Sequence, residues 1–285
     1  MYNDYSTFRA QQKSFPSTDG VIKYTDIGQG KPILLIHGIP TSSWLYRKMM
    51  KELKDKGFRV IAPDMLGFGN SESPKGYKLY SQAEHAKRIL ELMQFLGIEK
   101  WSHVLHDAGG LWTWELCKTA SHKIENLVIL NTIIYEEGFK PPMRMQPGNI
   151  AKISMWAYRN KITTNVLLKN LFSMGLNENN LTKAELEGYK TPLTEGKTRA
   201  MYYFFTQTCN EFQNYDSVFA ELKMPIKVIW GINDKMLQLA PQQTKIINGL
   251  RLKGADIHIL DATHFIQEEK PLEINKVIQE LINGN

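Results

Sequence analysis

The pattern of apolar and polar positions along the chain predicts an α/β fold. Residues 33–36 and 127–130 are short continuous apolar runs, as expected for strands that are buried on both faces, and residues 226–230 resume the strand pattern later in the chain. Stretches with helical spacing lie between such runs. In residues 81–96, for example, the apolar side chains fall on one face, and Gly97 follows as a stop signal. This alternation predicts a mostly parallel, doubly wound sheet.

Two segments depart from the alternation. Residues 8–15 and 21–26 predict an antiparallel hairpin whose turn is Asp19-Gly20. Residues 132–219 have almost no strand signal, and their Lys, Asn, Met and aromatic residues recur at helical spacing. We therefore predict a sheet domain built from residues 1–131 and 220–285, with residues 132–219 inserted as a helical cap.

Composition and charge narrow the possible functions. The 285 residues are 42% hydrophobic and 22% charged, which is typical of a globular domain with a large core. No apolar run is long enough to span a bilayer, so we expect no membrane partner. The N-terminus has no apolar signal segment, and Cys117 and Cys209 are interpreted as free thiols, so we expect a cytoplasmic protein.

The basic character does not by itself indicate a nucleic-acid partner. The net charge is +6, but in residues 47–59 the basic side chains are interleaved with acidic ones, as on a solvated helix face. The chain has no zinc-type Cys/His spacing and no phosphate-binding loop. We therefore expect no nucleic acid, no metal and no cofactor.

The segment VLHDAGG, residues 104–110, contains a candidate nucleophile. Asp107 follows a buried strand and precedes a helix that opens with two glycines, which is the strand–turn–helix context of a nucleophile elbow. Leu105 is bulkier than the small residue usual at its position. An aspartate that caps the next helix is the alternative explanation of the same segment.

Two further polar residues follow predicted strands. Asp234 lies in WGINDKM and His264 lies in DATHFIQEEKP. Taken singly, the first fits a turn aspartate and the second a buried structural histidine. The order nucleophile, acid, histidine, with each residue beyond the carboxyl end of a strand, instead predicts a catalytic triad. The backbone N–H groups of Ile39, in His37-Gly38-Ile39-Pro40, and Ala108 would form an oxyanion hole.

Several longer segments resemble one group of enzymes. They are HGIPTSSWLYRKM, APDMLGFGNSESP, HDAGG, GINDKM and HFIQEE, and together they are similar to the haloalkane dehalogenase and epoxide hydrolase group of α/β-hydrolases. The match covers both parts of the predicted sheet domain. In the cap it is weak, with EGYKTPL, residues 187–193, similar to the dehalogenase cap. The resemblance implies the α/β-hydrolase fold with Asp107 as nucleophile.

An aspartate nucleophile restricts the chemistry. A free carboxyl group has a pKa near 3.9, so it is ionised at neutral pH and needs no base to attack. Attack on a saturated carbon would leave an alkyl ester on Asp107, which water then cleaves with His264 as base and Asp234 orienting the imidazole. We therefore expect a small apolar alkyl halide or epoxide and water as the two substrates.

Alkyl halides and epoxides differ in the residues that must stabilise the leaving group. The dehalogenases have a tryptophan directly after the nucleophile and commonly Asn or Glu in the oxyanion loop, whereas this chain has Ala108 and Ile39. Trp156 in the cap is a possible N–H donor to a halide. Epoxide hydrolases use cap tyrosines, for which the pair Tyr202 and Tyr203 in RAMYYFF is the best candidate. The cap tyrosines are Tyr135, Tyr158, Tyr189, Tyr202 and Tyr203.

Other interpretations stay open at this point. A lactone or another strained substrate would also suit an aspartate nucleophile. A ligand-binding protein that has lost turnover is a second class, and ligand binding without product formation would favour it. Either a monomer or a homodimer is compatible with the sequence.

Overall fold

The protein is described by a computed structural model covering residues 4–141, 143–178 and 181–284. Its described part contains an eight-stranded sheet with the strand order β1-β2-β4-β3-β5-β6-β7-β8. The β1–β2 and β2–β4 pairs are antiparallel, and every other pair is parallel. The strands are β1 Lys13–Ser17, β2 Gly20–Ile27, β3 Pro32–Ile36, β4 Arg59–Pro63, β5 Trp101–Asp107, β6 Ile124–Thr132, β7 Ile226–Gly231 and β8 Ile257–Leu260.

Helices cover this sheet and fill the interval between β6 and β7. The α-helices are α1 Tyr5–Gln11, α2 Arg47–Asp55, α3 Gln82–Phe95, α4 Gly109–Ala120, α5 Asn149–Arg159, α6 Lys161–Gly175, α7 Lys183–Thr194, α8 Arg199–Tyr203, α9 Asp216–Glu221, α10 Gln243–Gly249, α11 Ile266–Glu269 and α12 Pro271–Asn283. Helix α2 packs against α12, and α3 packs against α4. The predicted α/β class with a mostly parallel sheet is confirmed.

The inner strands are buried because both faces of the sheet are covered. In β3 the four residues 33–36 are fully buried, and β5 is buried up to the residue before Asp107. The continuous apolar run of β3 suits this burial and is what the sequence pattern detected, whereas β5 also buries the polar residues Ser102, His103 and His106. The parallel strands end at one edge of the sheet, so the residues that follow them gather in one place.

The prediction for the N-terminal hairpin is wrong in its first arm. Residues 5–11 form helix α1 rather than a strand, and only β1 pairs with β2 across the turn at Gly20. The side chain of Asp4 accepts a hydrogen bond from the N–H of Thr7 at 2.8 Å, which caps the helix. Tyr5 and Phe8, one helical turn apart, pack edge-on against Trp44. This packing favours the helix over an extended conformation.

Among the described residues, the interval between β6 and β7 contains helices and no strand. Helix α5 packs on α6, α7 and α8, whereas α9 packs on α4 and α10 beside the sheet. The boundaries 132 and 219 of the cap stay a prediction.

A buried ion-pair network joins α7 to the sheet domain. The guanidinium of Arg47, on α2, binds both carboxylate oxygens of Glu268, on α11, and it also contacts Glu185 of α7 at 2.7 Å. Tyr189, also on α7, donates its hydroxyl to Glu268. Because Glu268 lies four residues after His264, this network ties α7 to the loop that carries the candidate histidine.

Candidate active site

Asp107 lies at a sharp turn between β5 and α4. Its φ angle is +53°, in the left-handed region that non-glycine residues rarely adopt. Close packing surrounds the turn, since a Cβ atom added to Gly109 would lie 2.8 Å from the carbonyl oxygen of His37 and 2.9 Å from that of Ile36. The backbone therefore holds the Asp107 side chain at the end of the sheet and leaves no room for a larger residue at position 109.

Two backbone N–H groups hold the Asp107 carboxylate. The N–H of Ile39 donates to Oδ1 at 2.7 Å, and the N–H of Ala108 also hydrogen-bonds to the carboxylate. Burial raises the pKa of Asp107 above its ordinary value, while His264 and these two N–H groups act in the opposite direction by favouring the anion. The side chain is 13% exposed, so it retains an open side.

His264 lies between Asp107 and Asp234. Its Nε2 is 3.7 Å from Oδ2 of Asp107, and its Nδ1 is 2.8 Å from Oδ2 of Asp234. Burial lowers the pKa of His264, but the carboxylates of Asp234 and Asp107 together outweigh burial, and the net pKa is raised above 6.5. With Asp234 as acceptor, Nδ1 carries a proton in the neutral ring, and the lone pair of Nε2 faces Asp107.

Asp234 is fully enclosed by hydrogen-bond donors. Its Oδ1 accepts from the N–H groups of Met236 and Leu237 at 2.8 and 2.9 Å. Its Oδ2 accepts from Nδ2 of Asn131 at 2.7 Å as well as from His264. Burial raises the pKa of Asp234, but these partners outweigh burial and lower it overall. Asp234 is thus held ionised beside the imidazole.

Sequence reasoning missed Asn131. It is fully buried near the end of β6, and besides Asp234 it binds the N–H of Gly231 at 2.8 Å through its Oδ1. A signal was present, because Asn131 is a polar residue directly after the apolar run 127–130. That signal could have placed it with the other residues at the carboxyl ends of strands.

A mostly apolar cavity adjoins Asp107 and His264. Apart from these two, its lining has one side chain with a hydrogen-bond donor, the hydroxyl of Tyr158 on α5. That hydroxyl makes no hydrogen bond to any part of the chain that the structure describes, and burial raises its pKa. The lining residues are Ile39, Pro40, Asp107, Phe139, Pro141, Tyr158, Leu171, Met201, Phe204, Phe205, Met236, Leu237 and His264.

The three cap residues predicted to contact substrate do not line this cavity. Trp156 is 59% exposed on the outer side of α5. The hydroxyl of Tyr202 accepts from the N–H of Gly148 at 3.2 Å, and its ring stacks on Tyr77. Tyr203 does not line the cavity either. These expectations for substrate or leaving-group contacts therefore need correction.

Helical geometry explains why neighbours of the predicted tyrosines line the cavity instead. Met201 lies on α8, and Phe204 and Phe205 belong to the π-helical turn that continues it. Positions i, i+3 and i+4 share a helix face, so these three point into the cavity while residues 202 and 203 point away from it. Tyr158, one of the five cap tyrosines, takes the place that sequence reasoning gave to the pair at 202 and 203.

The described residues offer neither a metal-type cluster nor a helix that could span a membrane. Among residues 4–141, 143–178 and 181–284, no group of three or more His, Cys, Asp or Glu side chains could hold a metal ion. None of the described helices is long and apolar enough to cross a bilayer. Both cysteines are buried free thiols.

Comparison with known proteins decides the family. Residues 31–271 match the model of the α/β-hydrolase fold family. The chain belongs to the α/β-hydrolase family. The fold that the motifs predicted is therefore confirmed, and so is the resemblance to the dehalogenase and epoxide hydrolase group, because named members of both are among the relatives of this α/β-hydrolase.

The relatives differ in how much of the chain they match. Haloalkane dehalogenase 2 of Mycobacterium tuberculosis is 39% identical over 129 residues, a region that spans 45% of this chain and only 44% of the dehalogenase. Epoxide hydrolase 3 of Siraitia grosvenorii is 26% identical and matches 94% of this chain and 96% of its own length. The solved structure of an epoxide hydrolase from Vigna radiata superposes with a TM-score of 0.77 at 19% identity, covering 96% of this chain and 98% of that chain. At this identity, the structural match shows the fold alone.

Proposed function

We propose that this α/β-hydrolase cleaves a bond at a saturated carbon through an alkyl ester on Asp107. The observation that carries the proposal is the environment of the Asp107 carboxylate. One oxygen is held by a backbone N–H at 2.7 Å, the other lies 3.7 Å from the imidazole of His264, and an apolar cavity adjoins both residues. A carboxylate held in this way suits attack on an apolar electrophile.

The two steps follow from these contacts. In the first, Oδ2 of Asp107 forms a bond to carbon, and the electron pair of the breaking bond leaves with the halide or the epoxide oxygen. In the second, Nε2 of His264 takes a proton from water, whose oxygen attacks the ester carbonyl carbon. Negative charge then develops on Oδ1, to which the N–H of Ile39 donates, and the N–H of Ala108 also favours the charged carboxylate. The ester bond breaks, and the protonated imidazole returns the proton to the departing alcohol.

An epoxide is the electrophile that the cavity favours. Opening an epoxide produces an alkoxide on the substrate, which needs a proton donor near Asp107. The Tyr158 hydroxyl is the donor that the cavity lining offers, and no other described residue uses it. No tryptophan or asparagine N–H, the donors expected for a halide, lines the cavity.

An alkyl halide is the second candidate. It is favoured by the 39% identity of the M. tuberculosis dehalogenase over its matched region, although that region is less than half of each protein. The two candidates share the Asp107 ester and differ in what receives the leaving electron pair. They can therefore be separated by experiment without changing the nucleophile.

The test is intact-mass spectrometry of a His264→Gln variant incubated separately with terminal epoxides, bromoalkanes and a β-lactone. The proposal predicts a covalent adduct that persists because the second step lacks its base, and peptide mapping should place it on Asp107. Asp55→Asn, a change at an exposed carboxylate on α2, is the control and should form no lasting adduct. An adduct with epoxides alone supports an epoxide hydrolase, and one with bromoalkanes alone supports a dehalogenase.

Single turnover of the wild-type enzyme in ¹⁸O-labelled water gives an independent check. Because water attacks the ester carbonyl, the label should enter the Asp107 carboxylate rather than the first product molecule. Label in the first product with unlabelled Asp107 would mean direct attack by water and would refute the proposal. Tight ligand binding with neither adduct nor product would instead identify a binding protein.

A further inference from the structure

The excess of basic over acidic residues in this protein falls in one segment of the cap. Residues 138–177 contain six basic and no acidic residues, which leaves 29 basic and 29 acidic residues in the rest of the chain. The whole net charge of +6 thus resides in this segment. Its basic residues are Lys140, Arg144, Lys152, Arg159, Lys161 and Lys169.

The same segment exposes large apolar side chains. Six of the eleven large hydrophobic residues that are exposed in the described ranges lie on α5 and α6. On α5 they recur at every third position, which places them along one side of the helix. The exposed residues are Ile150, Ile153 and Trp156 on α5 and Ile162, Val166 and Met174 on α6, with exposed fractions between 44% and 79%. We call this surface, together with Lys152, Arg159, Lys161 and Lys169, the cap face.

We propose that the cap face docks on an anionic lipid surface. Exposed isoleucines and a tryptophan on one side of a helix, on two helices that carry lysine and arginine but no acidic residue, are the combination that enters the headgroup region of a bilayer. A protein docked in this way lies on the membrane surface without crossing it, which agrees with the finding that no described helix could cross a bilayer. It revises the expectation from composition that no membrane partner exists.

Charge decides between a lipid surface and a second copy of the chain. Two cap faces brought together would oppose basic residues to basic residues, and neither α5 nor α6 carries an acidic residue to pair with them, which disfavours self-association. An anionic lipid surface is complementary to the same residues. Each Lys or Arg near such a surface strengthens binding by about fivefold at low salt.

The docked helices also form one wall of the active-site cavity. Tyr158 of α5 and Leu171 of α6 line the cavity on the side of each helix opposite the cap face. An apolar substrate dissolved in the lipid would therefore be separated from the cavity by these two helices. The docking proposal itself does not depend on which reaction the enzyme performs.

Trp156 provides a direct measurement of docking. It is 59% exposed, whereas the other five tryptophans are at most 3% exposed. Phosphatidylglycerol-containing vesicles should shift the tryptophan emission to shorter wavelength and protect it from acrylamide quenching. Pure phosphatidylcholine vesicles should do so much less, and added salt should reverse the effect because the attraction is screened. Trp156→Phe should abolish the spectral change.

Matched variants test the two parts of the cap face by vesicle co-sedimentation. The double variant Lys152→Gln/Lys161→Gln should lose about fivefold in vesicle affinity per lysine. The control variant Lys56→Gln/Lys100→Gln removes two exposed lysines shortly before β4 and β5 and should keep its vesicle affinity. Ile153→Ser should weaken binding, whereas Leu272→Ser should not, although both side chains are 64% exposed.

Three outcomes would overturn the proposal. The first is unchanged quenching of Trp156 and no co-sedimentation with anionic vesicles. The second is equal binding to neutral and anionic vesicles, which would remove the role of charge. The third is protection of Trp156 that rises with protein concentration in the absence of vesicles, together with a dimer in analytical ultracentrifugation, which would assign the cap face to a second copy.

Discussion

Replacement of Asp234 by asparagine should separate the two steps of the proposed reaction. The carboxylate of Asp234 accepts four hydrogen bonds, two backbone N–H bonds on Oδ1 and those of His264 and Asn131 on Oδ2. An asparagine can keep its oxygen on the backbone donors, but its NH₂ group then faces the donors of His264 and Asn131. Two donors facing each other in a buried site cost about 1–3 kcal/mol.

The imidazole can avoid this conflict by changing its tautomer. With the proton moved to Nε2, Nδ1 of His264 accepts from the new amide, but the lone pair that should activate water is lost. Loss of the correct tautomer in catalytic triads of this type lowers turnover by about 10⁴-fold. Attack by Asp107 needs no base, so ester formation should continue while its hydrolysis falls by roughly that factor.

Rapid-quench mass spectrometry measures both steps. Asp234→Asn should accumulate the Asp107 ester to near stoichiometry, whereas the wild type and the control Asp55→Asn should not. Turnover close to the wild-type rate in Asp234→Asn would refute the assigned role of Asp234. An equal loss of ester formation and hydrolysis would show that the substitution damaged the whole site instead of the base.

The pH profile supplies a second result from the same reasoning. The neutral imidazole is the active base, and the pKa of His264 is raised above 6.5 by Asp234, with a smaller contribution from Asp107, in spite of burial. Activity of the wild type should therefore fall as the pH drops through a value above 6.5. In Asp234→Asn the opposing effect of burial prevails, so the acidic limb should move to lower pH. An acidic limb at the same pH in Asp234→Asn and in the wild type would contradict the assignment of His264 as the base supported by Asp234.

Three further predictions concern the oxyanion loop, the cap and the leaving group. Gly38→Ala would place a Cβ nearer than 3.0 Å to the Asp107 side chain and so displace the nucleophile. The rate of ester formation should therefore fall by about 10²-fold, whereas Gly254→Ala, where the Cβ meets open space, should not change it. Arg47→Met leaves the buried Glu268 without its bidentate partner and should lower the free energy of unfolding by about 3 kcal/mol in urea titrations. The double variant Arg47→Met/Glu268→Leu should recover this stability. An unchanged urea midpoint in Arg47→Met would show that the ion pair is not stabilising. Tyr158→Phe should slow ring opening of epoxides but leave cleavage of bromoalkanes unaffected in stopped-flow assays, and equal effects on both would exclude proton donation.

The sequence alone determined the features that depend on local pattern. The predicted strands at 33–36, 127–130 and 226–230 all lie within strands of the sheet. A strand covered on both faces is largely apolar, and Lys227 is the one charged residue in these three runs. The proximity of Asp107, Asp234 and His264 could also be predicted. Asp107 ends the parallel strand β5, Asp234 and His264 follow β7 and β8, and the carboxyl ends of parallel strands meet at one edge.

Only the tertiary structure decided which side chains face the active site from the cap. Tyr158 lines the cavity whereas Tyr202 does not, although both are cap tyrosines with a buried ring. The choice depends on how α5 and α8 are rotated over the sheet, which local periodicity does not specify. The support of Asp234 by Asn131 likewise joins residues 103 positions apart. Such contacts arise from packing between distant elements, whereas pattern and propensity act over neighbouring residues.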